Sequence, residues 1–408
     1  KKLTGLGATY GEIKAKRNSI IIEPNVPVII GKCNDPKHKD DNLFGVYEGV
    51  YTDAIVTYLE KSVKKHYKLL TTPESFPKIK SAFEELEVDI YSSCFLLFDE
   101  CHKLVKDADY RSDIALPLYD FFRFERKALV SATPIELSDP RFKEQQFQTV
   151  EIEPTFDYSK KIRLYHTNNT LQTFKDALQK QKGKPEPCCI FIIVYALMKQ
   201  LDLLEQSAVF CAPKSVEKLK RNKFKNASEQ WDKSKMKQYN FFTSRFFNAV
   251  DIELEERPDV IILTDVFFAE HTMIDPHTDT IQIVGRFRNG ISSITHISNT
   301  NKGLPQRTQD EIRGYLICSK EIYRIMKNFY DCASDRASRD AYRAALESLP
   351  FNRMLDKDGK ENWFAIDNYM DEEIMKNYYH DENCLCEAYN NCTSFLPYHE
   401  GFYYSVGD

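Results

Sequence analysis

The sequence predicts an α/β protein of two tandem parallel-sheet domains, followed by a mostly helical C-terminal extension. Short β-branched or apolar runs alternate with stretches of helical periodicity over roughly the first three-quarters of the chain, the pattern of strands joined by helical crossovers. Several of these runs are apolar throughout rather than alternating, as parallel strands buried on both faces are. Polar, hydroxyl or acidic residues stand directly after them, where the carboxyl ends of such strands meet ligands.

The elements follow in order. Ser19-Ile20-Ile21-Ile22 is a β-branched run, and Asp53 to Lys65 has helical periodicity. Tyr67 to Thr72 reads as a short strand ended by Pro73, and Ile79 to Leu86 as a helix. Cys94 to Phe98 is a continuous apolar strand ending in two acids, and Lys127 to Thr133 is another, stopped by Pro134. The polar, irregular stretch from about Pro140 to Lys161 suits a linker. A second set of strands is expected at Cys188–Val194, Ala208–Cys211, Tyr239–Thr243, Val260–Thr264 and Thr295–Ile297. From about Gln309 the pattern turns helical, over Glu311 to Leu349, and ends in an aromatic-rich acidic region. The expected divisions are residues 1–157, 158–308 and 309–408.

At 408 residues the chain has room for two or three domains, with 42% hydrophobic and 29% charged residues, an ordinary globular balance. The run Cys188 to Met198 is too short to span a membrane, which takes about 20 apolar residues. Eleven scattered cysteines argue against a secreted disulfide scaffold and for a reducing, cytoplasmic location. Cys384, Cys386 and Cys392, with His380 and His399 nearby, match no common zinc spacing, and ordinary thiols are expected there. The net charge of −5 is unevenly spread: from Phe351 onward twelve acids face four bases, so the preceding body is mildly basic. That leaves room for a phosphate-binding surface. The chain opens on Lys1 inside a glycine-bearing stretch, so a longer parent chain with further domains is expected.

Five groups of residues carry chemistry. Asp99-Glu100-Cys101-His102 follows the strand Phe95–Phe98. The first carboxylate there suits Mg²⁺, and the second suits polarising an attacking water. Ser131-Ala132-Thr133 ends a later strand, and Thr72-Pro73-Glu74-Ser75 an earlier one. Gln282-Ile283-Val284-Gly285-Arg286-Phe287-Arg288 stands late in the second domain, and Thr243 to Ile252 lies upstream of it.

In this order and spacing the set resembles the superfamily 2 helicases, over about residues 4 to 300. Asp99 to His102 is similar to motif II in its DExH form, and Ser131 to Thr133 to motif III. Thr72 to Ser75 is similar to motif Ib, Thr243 to Ile252 to motif V, and Gln282 to Arg288 to motif VI. The resemblance implies two RecA-like P-loop NTPase domains that hydrolyse ATP with Mg²⁺ while moving on nucleic acid. It implies that Asp99 binds Mg²⁺ and Glu100 is the general base. Gln282 and Arg286 would reach the triphosphate, with Arg286 as arginine finger and Arg288 as a nucleotide contact. His102, Ser131, Thr133 and Asp251 would couple nucleotide state to strand binding. Pro24, Asn25, Thr72, Pro73, Glu74, Thr243 and Ser244 would contact the strand, chiefly its phosphates and sugars. DNA, single-stranded or duplex, is placed ahead of RNA, and no membrane is involved.

Several positions depart from the pattern. The phosphate loop falls on Thr4 to Glu12, where Gly5 and Gly7 can turn backbone N–H groups to a phosphate and Thr9 can offer its hydroxyl to Mg²⁺. Ala8, however, stands where a G-K-[ST] loop has its lysine. Lys1, Lys2, Lys14 and Lys16 are the substitutes in view. Asn248 and Ala249 replace the usual Arg-Gly of motif V, and Arg288 follows Arg286 by two residues rather than three. These departures support an alternative, a helicase-like nucleic-acid-binding scaffold without ATPase activity. Between Lys214 and Arg245, ten bases outnumber three acids, with Phe224, Trp231 and Tyr239 interleaved. A solvated helix face is the plainer reading of that stretch, and strand contact the other.

Overall fold

The computed structural model describes residues 4–62, 65–108, 116–180, 187–191, 202–247, 251–267, 270–356 and 358–405. Lys1, Lys2, Asn248, Ala249 and the end of the strand expected over Cys188–Val194 lie outside them.

The first lobe holds β1 (Ser19–Ile22), β2 (Leu43–Val46), β3 (Lys68–Thr71), β4 (Phe95–Phe98) and β5 (Arg126–Leu129). They form one sheet in the order β2-β3-β1-β4-β5, every adjacent pair parallel. Strands this short persist because both faces are covered. Ile20 and Ile22 pack into one apolar cluster with Leu69, Leu96 and Phe98. Ile21 packs into another with Leu70 and Leu97 on the opposite face. Burying such a side chain stabilises the fold by about 1.5–3 kcal/mol each. The register sets Ile22 level with Thr71 and Phe98, and Phe98 level with Leu129. The next residues, Glu23, Thr72, Asp99 and Val130, therefore leave the sheet along one edge.

The second lobe is an all-parallel sheet of eight strands: β6 (Lys160–Thr167), β7 (Cys188–Phe191), β8 (Ser207–Phe210), β9 (Ala227–Ser228), β10 (Tyr239–Phe242), β11 (Asp259–Thr264), β12 (Ser293–Ser298) and β13 (Phe395–Phe402). Their order is β13-β6-β12-β11-β7-β10-β8-β9. Cys189, Phe191 and Ile262 face one cluster, and Ile190, Ile261 and Leu263 the other. The linker expected to reach Lys161 in fact contains the short helix Pro140–Glu144 and gives way to β6 at Lys160.

The helical stretch after Gln309 runs as two helices, Gln309–Cys332 and Arg336–Ser348. Thr308 and Glu311 cap the first reciprocally, and the Asp335 side chain caps the second. The described part of the acidic tail that follows packs onto both lobes. Helix Trp363–Tyr378 places Phe364 in the first lobe's core, and Tyr379 just beyond it is fully buried in the second lobe's core. Helix Glu382–Asn390 then leads into β13, which adds to the edge of the second sheet beside β6. Among the described residues no helix is long and apolar enough to cross a membrane.

Candidate active site between the two lobes

The acid pair occupies the turn after β4. The Asp99 backbone N–H donates to the Ile22 carbonyl at 2.9 Å, and Cys101 N–H to the Val130 carbonyl at 3.0 Å, which pins the turn to both neighbouring strands. Glu100 between them takes a left-handed backbone, φ +48°. Non-glycine residues rarely adopt that conformation, and such strain gathers at functional sites. The Asp99 carboxylate accepts from the Glu100 N–H at 3.0 Å.

The phosphate-loop candidate lies against this turn. Gly7 (φ +75°) caps helix Ala8–Lys14, and the Thr9 hydroxyl donates to Asp99 Oδ2. Two hard oxygen donors from separate elements thus meet, a set that suits Mg²⁺. The loop also touches the second lobe. A Cβ added at Gly5 (φ +77°) would come within 2.7 Å of Arg288 Nη1, and one at Gly285 would collide with the Thr4 side chain. Close approach of the loop to helix Asp279–Gly285 is therefore the physical reason for glycine at position 285.

From the second lobe, Gln282 and Arg286 are buried and turned toward the acid pair. Gln282 Nε2 donates to Thr133 Oγ1 at 2.9 Å and to Glu100 Oε2 at 3.3 Å. Arg286 lies 3.7 Å from Glu100 and 3.6 Å from Asp251, and its second nitrogen donates to Gln282 Oε1 at 3.2 Å. Burial works against the Arg286 charge, and the two carboxylates oppose that effect. Arg288 pairs with Asp251 at 2.8 Å. In the first lobe His102 Nδ1 and Ser131 Oγ are 2.8 Å apart, His102 Nδ1 is 3.5 Å from Glu100, and Ser131 Oγ accepts from the Thr133 N–H at 3.0 Å. His102, Ser131, Thr133, Gln282, Arg286 and Glu100 thus form one connected network across the interface.

Beside it opens a cavity of about 690 Å³, lined by Gly5, Gly7, Ala8, Thr9, Asp99, Glu100, Asp251, Arg286 and Arg288. Glu23 and Lys32, to which the motifs give no part in this cavity, also line it. Glu23, directly after β1, is buried, and Lys32 of helix Val26–Asn34 reaches its carboxylate. Lys32 Nζ also lies 3.5 Å from Asp99 Oδ2. Burial pushes the Glu23 carboxyl up to about 8, with Lys32 opposing it. Lys32 titrates above its ordinary value because Glu23 and Asp99 outweigh the cost of burial. The sequence did hold a signal, a single charge in an otherwise apolar or small-residue helix. Of the substitutes considered from sequence, Lys14 is held by Asp41 at 2.7 Å and does not line this cavity.

A second cavity, about 700 Å³, runs between the lobes on another side. Pro24, Asn25, Thr72, Glu74 and Ser244 line it, five of the seven residues expected at a nucleic-acid strand. Pro73 is buried in the turn below them, and Thr243 precedes Ser244 at the end of β10. Ala212, at the start of the lysine-rich helix Pro213–Arg221, also borders it.

The tail contributes a tie between lobes that no motif announced. Lys106 of the first lobe lies 2.7 Å from Asp371 and 3.8 Å from both Asp275 and Asp279. These carboxylates raise its pKa although partial burial works against the charge. Asp371 is nevertheless pushed up to about 6, because burial and the two neighbouring acids outweigh the attraction of Lys106. In the cysteine-bearing tail, Cys392 is buried in the second lobe's core and Gln306 donates to Cys384.

No family model matches the chain, and no curated protein matches its sequence. Solved structures to which it is similar include Saccharomyces cerevisiae Dbp5 bound to RNA and ADP BeF3, at 11% identity over 70% of this chain and 72% of that one, with a TM-score of 0.42. Mss116p bound to ssRNA and AMP-PNP is 12% identical over 85% of this chain and 77% of that one, with a TM-score of 0.43. The DUF1998 helicase MrfA bound to DNA and AMPPNP is 13% identical over 77% of this chain and 45% of that one, with a TM-score of 0.43.

Proposed function

We propose that this chain is an ATP-dependent nucleic-acid translocase or helicase of the superfamily 2 kind, with ATP bound between its two lobes. The observation that carries the reading is the convergence of Gln282 and Arg286, from one lobe, on Glu100 and Thr133 of the other. A single-lobe binding protein has no need of a buried glutamine and arginine crossing an interface to an acid pair.

Each residue then has a stated task. Asp99 and Thr9 would hold Mg²⁺, which when bound would neutralise charge on the triphosphate oxygens. Glu100 Oε accepts a proton from the attacking water, and its left-handed backbone aims the carboxylate off the end of β4. Arg286 stabilises charge spread over the transferring phosphoryl group, a contribution of about 10³–10⁵ in rate for arginine fingers. Gln282 orients the water and links Glu100 to Thr133. Thr133, Ser131 and His102 pass the state of Glu100 to the loops at the second cavity. There Pro24, Asn25, Thr72, Glu74 and Ser244 grip a single strand, with Thr243 and Pro73 supporting them. Opening and closing of the lobes around the nucleotide steps the chain along that strand.

The test is steady-state ATP hydrolysis with and without single-stranded DNA or RNA, with Glu100→Gln as control. Strand-stimulated turnover abolished by Glu100→Gln is the expected result. Intact strand binding with no turnover above that control would replace the motor by a non-hydrolysing scaffold, the reading that Ala8 favours.

A further inference from the structure

We infer that Lys32 supplies the phosphate-binding cation that the loop around Ala8 lacks. The inference rests on the proposed nucleotide site and names the residue that makes it workable.

In a G-K-[ST] loop the lysine and the hydroxyl residue are adjacent in sequence, so their head groups meet over the same phosphates and the same metal. Here the hydroxyl is present as Thr9 and the lysine position is Ala8. The fold brings a lysine to the hydroxyl from another element. The Thr9 hydroxyl and the Lys32 ammonium approach the same oxygen, Asp99 Oδ2, the latter at 3.5 Å. Both line the cavity that Gly5, Gly7, Arg286 and Arg288 enclose.

The placement is held firmly. Helix Val26–Asn34 buries Ile29 against the apolar face of Ile21, Leu70 and Leu97, which fixes the turn that carries Lys32. Glu23, at the end of β1, anchors the ammonium from the side away from solvent. A quarter of the Lys32 side chain remains exposed, so the head group opens on the cavity. Six carboxylates line or floor this space, Glu23, Asp35, Asp99, Glu100, Asp251 and Glu253. A polyanion entering it needs cations on the first-lobe side as well as Arg286 and Arg288 on the second; among the described residues Lys32 and Lys37 line that side, and it is Lys32 that lies 3.5 Å from the Asp99 oxygen that Thr9 also reaches.

The alternative role is a counter-ion for buried Glu23 and nothing more. Equilibrium binding of a fluorescent ATP analogue with Mg²⁺, alongside thermal melts, separates the two. The variants are Lys32→Ala, the charge-neutral double Lys32→Met/Glu23→Gln, and Lys32→Ala/Ala8→Lys. The neutral double avoids leaving Glu23 buried without a partner, so it reports on nucleotide even where Lys32→Ala is unstable. Loss of one charged contact is expected to weaken binding about 10–100-fold in both Lys32→Ala and the neutral double. Ala8→Lys is expected to restore most of it, since a lysine on the loop reaches the same phosphates. Wild-type affinity in the neutral double overturns the inference. So does a loss that Ala8→Lys fails to repair, which would leave Lys32 a structural counter-ion. A wild-type protein that binds no nucleotide overturns the proposed function along with it.

Discussion

The side-chain amide of Gln282, in the second lobe, donates to the hydroxyl of Thr133, in the first, at 2.9 Å, and Gln282 is 1% exposed. A buried donor aimed across a lobe interface is costly to leave unmatched, about 1–3 kcal/mol. The pair therefore reports on lobe closure as much as on chemistry. Gln282→Ala and Thr133→Ala should each reduce strand-stimulated ATP turnover. A double-mutant cycle on that turnover should show coupling of about 0.5–3 kcal/mol. Additive effects would mean the two act separately.

Arg286→Ala should lower kcat by about 10³-fold or more while changing nucleotide affinity far less, as loss of an arginine finger does. Arg286→Lys should not rescue it, because an ammonium cannot span Glu100, Asp251 and Gln282 as the guanidinium does. Single-turnover hydrolysis separates this from a binding defect.

Lys106→Met should destabilise the protein by about 3–5 kcal/mol, since it leaves Asp275, Asp279 and Asp371 facing one another without their cation. Urea denaturation at neutral pH measures it. Adding Asp371→Asn to the same chain should recover part of the loss.

Asp367 gives a pH test. Burial pushes its carboxyl up to about 6, although it accepts the Ser138 N–H at 3.0 Å. Its folded pKa lies above the ordinary 3.8, so the fold favours the protonated form. Its contribution to stability is therefore fully present below about pH 4 and is lost as pH rises through about 6. Asp367→Asn keeps an acceptor for Ser138 and removes the charge. It should stabilise the protein at pH 8 by about 1–3 kcal/mol and do little at pH 4. Thermal melts of the two chains across that range check the sign.

Strand affinity should depend only weakly on salt for a nucleic-acid groove. The cations that line the second cavity already have protein partners. Lys78 donates to the carbonyls of Tyr47 and Val50 at 3.1 and 2.9 Å, and Lys103 pairs with Asp107 at 2.9 Å. Few counterions are then released, and the slope of log affinity against log salt should be shallower than about −2. A slope as steep as −6 would place the exposed lysines of Pro213–Arg221 on the strand instead.

Much of the first lobe was legible because its strands are buried on both faces, so Ser19–Ile22 and Phe95–Phe98 show as apolar runs with no need of neighbours. Leu43–Val46 was missed, since Gly45 interrupts the run. There the close approach of Ile29, within 2.8 Å of an added Cβ, demands glycine. Phe395–Phe402 was missed too, because an edge strand need not be apolar throughout and tolerates Pro397, whose missing N–H costs an edge little.

The sequence by itself determined the two α/β lobes and the positions of the acid pair, Ser131 to Thr133 and Gln282 to Arg288. These depend on local runs and on turns at strand ends, which periodicity and spacing record directly. Only the tertiary structure decided that Lys32 meets Asp99, that Lys106 meets Asp371, and that the acidic tail returns to complete the second sheet. Those pairings join residues 67 and more positions apart. Their partners are chosen by how helices pack on sheets, and no local pattern encodes that choice.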